Sequence, residues 1–341
     1  MIAASVEETV EAATPSGRGR ARTSTVRFIL RRLALVPIIM LAVSLAVFVM
    51  IDLSPNDPAE AALGPFSTAE ARAHFAAEHG LNDPFPVRYG RFLDDVVHLR
   101  LGDSAIHAAS VRELMGQALP VTLQLVALAT LIALVVSLLL GITAARMEGR
   151  AADRGISAIA ALFQASPQFW VGLMFIQLFA VALGWLPSGG YIPMSAGFGT
   201  WFQSMIGPAI VLSLPFAAAM TRVLRAAVAD ELTKDYVRTA IGAGVPWRTV
   251  LVRNVLRNAL ITPITVLGVY VGALMSGTVL VEQVFNLPGL GSLLVSGVTE
   301  SDLGVVRSVA LFFAFSFVLI NLLVDLAYLF LNPRAVEQGG R

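Results

Sequence analysis

The sequence predicts an all-α integral membrane protein with six membrane-spanning helices. Of its 341 residues, 56% are hydrophobic and only 14% are charged, and the mean hydropathy is +0.75. Soluble domains carry about 25% charged residues, so this composition is not that of a soluble fold. The hydrophobic residues gather in six runs, each close to the roughly 20 residues that cross the hydrocarbon core as a helix.

The N-terminal region divides into a tail and a first span. Residues 1–26 mix Glu, Ser, Thr, Gly and Arg without periodicity, which predicts a disordered cytoplasmic tail. The first span is predicted over residues 27–51, where Arg31 and Arg32 precede the apolar run. Because this run is longer than the core of a signal peptide and no cleavage site directly follows it, we expect it to remain uncleaved.

A polar segment, residues 52–119, separates the first two spans. It holds ten acidic residues, five basic residues and all four histidines of the chain. We expect it to lie outside the membrane, with some helical character, and to end at Pro120. The histidines are 5, 19 and 9 residues apart, which matches no pair on one helical face and gives little support for a metal site.

Residues 120–334 are predicted to form the core of the protein with five further spans, and residues 335–341 a short tail. The apolar runs lie at about 121–145, 162–186, 201–220, 260–280 and 308–330. Several spans contain proline, which membrane helices tolerate where they meet protein or a water-filled path. Kinked helices fit a pore that changes shape, although packing irregularity explains any single proline equally well.

The distribution of Lys and Arg predicts the orientation of the chain. With the N-terminus inside, eighteen of the 24 basic residues fall on the cytoplasmic side and six on the other. Cytoplasmic loops carry the excess of positive charge in membrane proteins. Both termini are therefore predicted to be cytoplasmic.

Residues 221–268 combine seven basic residues with a pattern of two short helices between apolar runs. Thr233 is the predicted N-cap of the first helix, where its hydroxyl would accept a free backbone N–H. The face of this helix that is predicted to be apolar consists of Val237, Ala240 and Ile241. Gly242 and Gly244 are expected to end it.

The second helix of this stretch is predicted to start at Pro246, whose missing N–H is not needed in the first turn. It carries one apolar and one polar stripe, which are Trp247, Val250, Leu251 and Val255, and Thr249, Arg253 and Arg257. A loop that only fixes topology needs charge but no such corner between two amphipathic helices. We therefore interpret the stretch as a surface that docks a partner.

The residue inventory excludes several kinds of chemistry. There is no cysteine, which removes disulfides, thiolate catalysis and cysteine metal sites. The one lysine, Lys234, follows Glu-Leu-Thr rather than a glycine-rich loop, so no Walker A lysine is available. The net charge of +1 gives no electrostatic case for nucleic acid. We expect no catalytic residue, no cofactor site and no metal site in this chain.

Asp325, near the end of the last span, is the one acid that the predicted spans contain. An ion-coupled secondary carrier usually buries several ionisable residues near the membrane centre. The sequence therefore favours a helix-packing role for Asp325. A secondary carrier and a membrane enzyme remain as less favoured alternatives.

The residues resemble a known family, the inner-membrane permease subunits of binding-protein-dependent ABC importers, of the oligopeptide/dipeptide and nickel class. The most specific match is DYVRTA at 235–240, with Gly244 nine residues after Asp235, followed by LRNALI at 256–261; it is similar to the EAA loop of the family, here at about 229–259. Further matches over residues 28–334 are SPNDP at 54–58, LGDS at 101–104, LPVTL at 119–123, SPQFW at 166–170, EQVFNLPGLG at 282–291 and NPR at 332–334.

The resemblance implies half of a translocation pathway in a prokaryotic inner membrane, for di- or oligopeptides, with nickel complexes or glutathione-like solutes as alternatives. It implies four kinds of neighbour: a second homologous permease, two ABC ATPase subunits, an extracytoplasmic solute-binding protein and membrane lipid. ATP and magnesium would bind to the ATPase subunits. The residues implied to contact the ATPase are Asp235, Tyr236, Arg238, Thr239, Ala240 and Gly244.

Two positions depart from the pattern of the family. Arg238 stands where the acidic residue that names the EAA loop is expected, as is common in the peptide-type branch. Pro263 comes one place later than the proline that ends the motif. The exact beginning of the fifth span is therefore a question for the structure.

Overall fold

The computed structural model describes residues 17–53, 58–64, 66–78, 80–104 and 106–331. Within these ranges the chain is helical, and its β-structure is a single bridge between Asp103 and Ser110. The all-α prediction is confirmed. Predictions for residues 1–16 and 332–341, and for the side chains of Arg31, Arg32 and Asp325, lie outside the described part of the chain.

Short connections join most of the helices, but longer ones precede α5 and α8. In chain order they are α1 (Gly17–Asp52), α2 (Pro58–Leu63), α3 (Ala69–Glu78), α4 (Phe85–Val97), α5 (Val111–Arg146), α6 (Ala151–Ala165), α7 (Gln168–Phe175), α8 (Phe198–Leu232), α9 (Asp235–Gly242), α10 (Trp247–Thr249), α11 (Leu256–Ala259), α12 (Ile261–Val284), α13 (Leu290–Thr299) and α14 (Leu303–Leu331). A π-helical segment continues α7 over Ile176–Ala182, and another joins α10 to α11 over Val250–Val255.

Among the described residues, five helices are long and apolar enough to cross a membrane, and there are six if the bent pair of α6 and Gln168–Ala182 counts as one span. The five are α1, α5, α8, α12 and α14. The predicted number of spans is confirmed with this one qualification. Helix α1 begins at Gly17, within the segment predicted to be a disordered tail, although its apolar part starts only at Leu33.

The helix of the second span begins before its apolar run. Ser110 caps α5, since its Oγ accepts a hydrogen bond from the backbone N–H of Glu113 at 3.2 Å. Pro120 therefore lies inside the helix. Helix α5 runs through residue 119, the predicted boundary of the polar segment, and its first turns precede the apolar run that starts at about residue 121.

The third span is broken where the sequence predicted one helix over residues 162–186. Helices α6 and α7 meet at 106°. Ser166, which precedes Pro167, has an extended backbone with ψ of 135°. A proline disfavours the helical conformation in the residue before it, so the helix ends there and a second one starts in a new direction.

The fifth span begins where it was expected. Helix α12 starts at Ile261, and Pro263 falls in its first turn. There the missing N–H of proline removes no bond of the helix. Further along α12, Gly268 and Gly272 lie against Val324 and Phe317 of α14, so close that an added methyl group would meet those side chains at 2.1 and 2.9 Å. Small residues four apart allow membrane helices this close approach.

A buried carboxylate ties the far end of α12 to its neighbours. Glu282 is fully buried, and its Oε1 accepts a hydrogen bond from Thr122 Oγ1 of α5 at 2.7 Å. Its Oε2 accepts the backbone N–H of Ser292 at 3.0 Å, while Leu290 N donates to Thr122 Oγ1 at 2.8 Å. The start of α13 is thereby fixed to α5 and α12.

Glu282 corrects one expectation from the sequence. Asp325 was predicted to be the one acid in the spans, but α12 continues to Val284 and includes Glu282. Similarly, α14 begins at Leu303 and includes Arg307, whose guanidinium lies 5.1 Å from the ring centroid of Phe92. Both charged groups interrupt the apolar pattern, and the helices continue through them because neighbouring groups satisfy them.

The polar segment forms helices as predicted and packs on the first span. Phe48 of α1 contacts Phe85, Tyr89 and Phe92 of α4, with ring centroids 5.3 to 5.4 Å apart. We call this side of the bundle, which also holds α13, the α4 end. Helix α5 runs from here to the opposite side, the α9 end, where Ala145 packs against Val237 and its neighbours.

Candidate functional site

The corner segment, residues 229–259, lies at the α9 end of the bundle. Helix α9 ends in a glycine cap, with Gly244 at a φ of 79°. Val245 N donates to Ala240 O at 3.1 Å, and Gly244 N donates to Ile241 O at 3.0 Å. These two bonds are those of a Schellman motif, in which a left-handed residue closes the helix. The predicted role of Gly244 in ending the helix is confirmed.

The start of α9 differs from the prediction. Its N-cap is Lys234, and no side chain caps the helix. Thr233 Oγ1 instead donates to Asp230 O at 2.7 Å, at the end of α8. The prediction for Thr233 is wrong because α8 continues to Leu232 and leaves this hydroxyl within reach of its last carbonyls. Only Thr233 and Lys234 separate α8 from α9.

The second half of the corner segment has the predicted stripes, in a π-helical geometry. Val250 and Val255 are fully buried, although they lie five residues apart. Hydrogen bonds from i to i+5 in the π-helical segment bring such residues to one face. The polar stripe of Thr249, Arg253 and Arg257 is exposed.

A compact apolar cluster fixes the corner segment to the bundle. The cluster joins α5, α8, α9 and the second half of the corner segment, and its buried members are Ala145, Val228, Ala229, Val237, Val250, Val255 and Ala259. Buried apolar side chains hold their neighbours in fixed positions because protein interiors are close-packed. Helix α9 is therefore attached firmly to the ends of two long helices.

The six residues implied by the resemblance lie together on α9 and its cap. Asp235, Tyr236, Arg238, Thr239 and Gly244 are exposed, and Ala240 is half-buried. On the opposite face Val237 is buried, as predicted, whereas Ile241 is 48% exposed and does not belong to the buried face. The structure thus exposes five of the six residues on α9 and its cap, whereas Ala240 packs against the apolar cluster, on the face where the apolar pattern predicted it.

Two residues that the sequence did not single out hold Tyr236 in place. The Tyr236 hydroxyl donates to Glu231 Oε1, and Asn258 Nδ2 donates to both of these oxygens at 3.2 Å. Partial burial and the Glu231 carboxylate raise the pKa of Tyr236 above its ordinary value, so the hydroxyl remains a donor at neutral pH. The three side chains connect α8, α9 and α11, which are separated in sequence by up to 27 residues.

We expect Tyr236→Phe to weaken this connection without unfolding the protein. The loss of one partly exposed hydrogen bond to a carboxylate costs about 1.5 kcal/mol. The substitution and Asn258→Ala should be less than additive, because both remove groups of one network. Thermal unfolding of the two single variants and the double variant measures this. Strict additivity would show that the two side chains act independently.

The exposed charges around α9 are mostly basic. Arg238, Arg248, Arg253 and Arg257 are exposed, and the guanidinium of Arg146 lies 5.5 Å from the ring centroid of Trp247. Asp235 lies in the first turn of α9, where the helix dipole favours an acid. An exposed helical face with basic surroundings is suited to a partner surface that is acidic or rich in hydrogen-bond acceptors.

Comparison with known proteins matches most of the chain to one family. The binding-protein-dependent transport system inner membrane component family matches residues 137–337. The N-terminal part of membrane components of such transport systems matches residues 25–126. The first of these matches contains the whole corner segment.

Similar proteins are aligned over nearly their full length. A protein named probable peptide ABC transporter permease, from Sinorhizobium fredii, is 34% identical over 90% of this chain and 98% of its own. An oligopeptide transport system permease of Bacillus subtilis is 34% identical over the same shares. A glutathione transport system permease of Salmonella paratyphi A is 35% identical over 90% of this chain and 97% of its own.

Proposed function

Since this chain belongs to the family of binding-protein-dependent transport system inner membrane components, we propose that it is a permease subunit of an ATP-driven ABC importer for di- or oligopeptides. The family indicates a transport component rather than a catalytic enzyme. Its relatives named as permeases of peptide and oligopeptide transport support the substrate class.

The observation that carries the coupling proposal is the attachment of α9. An ATPase can bias a membrane pathway only through an element that contacts both. Helix α9 and its cap expose Asp235, Tyr236, Arg238, Thr239 and Gly244, while Val237 and the half-buried Ala240 pack against the cluster that joins α9 to α5 and α8; Ala240 would lie at the edge of the contact. We assign the exposed face to the ATPase contact, so that closure of the ATPases moves the spans as rigid bodies.

The partners follow from what this chain lacks and from its family. The single lysine, in a non-glycine-rich context, supports an ATPase on another chain, where ATP and magnesium would bind. In the proposed complex two ABC ATPase subunits engage this permease and a second homologous one. A solute-binding protein delivers the peptide on the other side of the prokaryotic plasma membrane. This chain itself holds no cofactor, metal or catalytic residue in this proposal.

The orientation that this proposal needs agrees with the charge distribution. Eighteen of 24 basic residues fall on the side of α9 when both termini are placed in the cytoplasm. The α4 end then faces the solute-binding protein, and the α9 end faces the ATPases.

Co-purification tests the partner assignment. Tagged protein, extracted in mild detergent from its own cells, should bring down an ABC ATPase and a second permease of this family. Recovery of the permease alone, under conditions in which it remains folded, would contradict the assignment. A variant with Gly242→Ala, which alters an exposed glycine with open space around it, serves as a control that should retain the complex.

Uptake by a deletion strain tests the substrate. We expect a strain without the gene to lose uptake of labelled di- or oligopeptides and to regain it with the gene. Labelled glutathione is the second candidate because of the glutathione permease relative, and nickel complexes are tested in a third arm. Normal uptake of every peptide by the deletion strain would overturn the peptide assignment.

A further inference from the structure

An ion pair between a buried acid and a half-buried base connects two helices near the corner segment. Asp153, in the first turn of α6, is 4% exposed. Its carboxylate accepts hydrogen bonds from Arg225 Nε and, at 2.7 Å, from Arg225 Nη2 of α8. Gly149 N, in the turn between α5 and α6, donates to the same carboxylate at 2.9 Å. Glu148 lies 3.7 Å from the guanidinium.

The pair occupies a mechanically important position. Arg225 precedes the end of α8 at Leu232 by two helical turns, and α9 follows after only two residues. Val228 and Ala229, in the next turn of α8, belong to the cluster that holds Val237 of α9. A displacement of α9 therefore reaches Arg225 through packed side chains and continuous helix.

From this arrangement, and resting on the proposed function, we propose that Asp153 and Arg225 are a positioning pair that makes the beginning of α6 move together with the end of α8 when the ATPases displace α9. Neither side chain contacts peptide or nucleotide. The pair would transmit movement along α6 toward its bend with α7.

The chemistry of the pair suits a rigid link. A two-pronged contact between guanidinium and carboxylate fixes the angle as well as the distance between the two helices. Breaking the pair leaves the buried carboxylate of Asp153 without its charged partner, which opposes sliding of α6 past α8. A side chain that is 4% exposed is also poorly placed to contact an ATPase itself.

The ratio of ATP hydrolysed to peptide imported distinguishes this role from a merely structural one. A structural role predicts that loss of the pair lowers hydrolysis and import in parallel. A transmitting role predicts that the complex still assembles and hydrolyses ATP while import falls. The ratio then rises on the order of tenfold, within the usual range of coupling between sites.

The experiment uses the complete importer in proteoliposomes with its solute-binding protein and labelled peptide. Asp153→Asn and Arg225→Gln should each raise the ratio. Arg225→Lys keeps the charge but not the two-pronged geometry, so it should give an intermediate value. The exchange of both residues, Asp153→Arg with Arg225→Asp, should bring the ratio back toward that of the unaltered protein. Arg72→Gln breaks an exposed pair with Glu60 at the α4 end and should leave the ratio unchanged.

Two outcomes would overturn the proposal. One is hydrolysis and import that both stay at the level of the unaltered protein in Asp153→Asn and Arg225→Gln, and the other is a parallel loss of hydrolysis and import that leaves the ratio unchanged. Failure of the proposed function would be visible separately, since the unaltered complex would then show no ATP-dependent peptide import. If the exchanged variant does not assemble, Arg225→Lys still tests the proposal. An intermediate ratio of ATP hydrolysed to peptide imported supports it, and an unchanged ratio contradicts it.

Discussion

Replacing Gly244 by proline is expected to abolish ATP-driven import while the protein remains inserted in the membrane. Gly244 has a φ of 79°, and its N–H closes the cap of α9. Proline fixes φ near −65° and has no N–H, so it removes both features of the cap. Helix α9 would then lose its fixed direction on the bundle. The measurement is peptide uptake by cells, with the amount of protein in membranes determined in parallel.

Two further substitutions should reduce import less than Gly244→Pro does. Gly244→Ala should reduce import only in part, because a left-handed alanine costs about 1 to 2 kcal/mol. Gly242→Ala should have no adverse effect, because an added methyl group at this position meets no atom within 4 Å. Full import by the Gly244→Pro protein would show that the glycine cap of α9 is not needed for coupling.

The largest loss of stability is expected for Glu282→Gln. The fully buried carboxylate accepts hydrogen bonds from Thr122 Oγ1 and from the N–H of Ser292. An amide of the same size can accept with only one of its two heavy atoms, so at least one buried donor loses its partner. Such a loss costs about 1 to 3 kcal/mol, and more where a charged group is involved. We expect a lower midpoint of thermal unfolding in detergent.

The neighbouring Gln283 supplies the matched control for this prediction. Its side chain is exposed on the same turn of α12. Gln283→Ala should change the unfolding midpoint little, as substitutions at exposed positions generally do. Equal stability of the Glu282→Gln and Gln283→Ala proteins would mean that the buried network does not hold the α4 end together.

The sequence predicted the membrane helices well because length and hydropathy are local properties. It also identified the buried Val237, Val250 and Val255, since apolar spacing shows which face of a short helix is covered. The positions of Gly244 and Pro263 were interpretable from backbone chemistry alone. These features depend on a residue and its close neighbours in the chain.

The features that the sequence missed or predicted wrongly depend mostly on interactions between residues far apart in the chain. The extension of α12 through Glu282 depends on Thr122, which lies 160 residues earlier. The network of Tyr236 depends on Asn258, and the partner of Asp153 is 72 residues away. A hydropathy pattern contains no information about such partners. Thr233 lies between the end of α8 and the start of α9, and the sequence pattern alone does not tell which helix its hydroxyl contacts. In the structure the hydroxyl donates to a carbonyl at the end of α8.

The length of α8 bears on where a soluble ATPase could contact this protein. A helix of 35 residues is about 52 Å long, whereas the hydrocarbon core of a bilayer is about 30 Å thick. About 20 residues are enough to cross that core, so the last turns of α8, which carry Arg222, Arg225 and Asp230, need not lie in hydrocarbon. In the proposed importer, a soluble ATPase could then engage the corner segment without entering the apolar part of the bilayer.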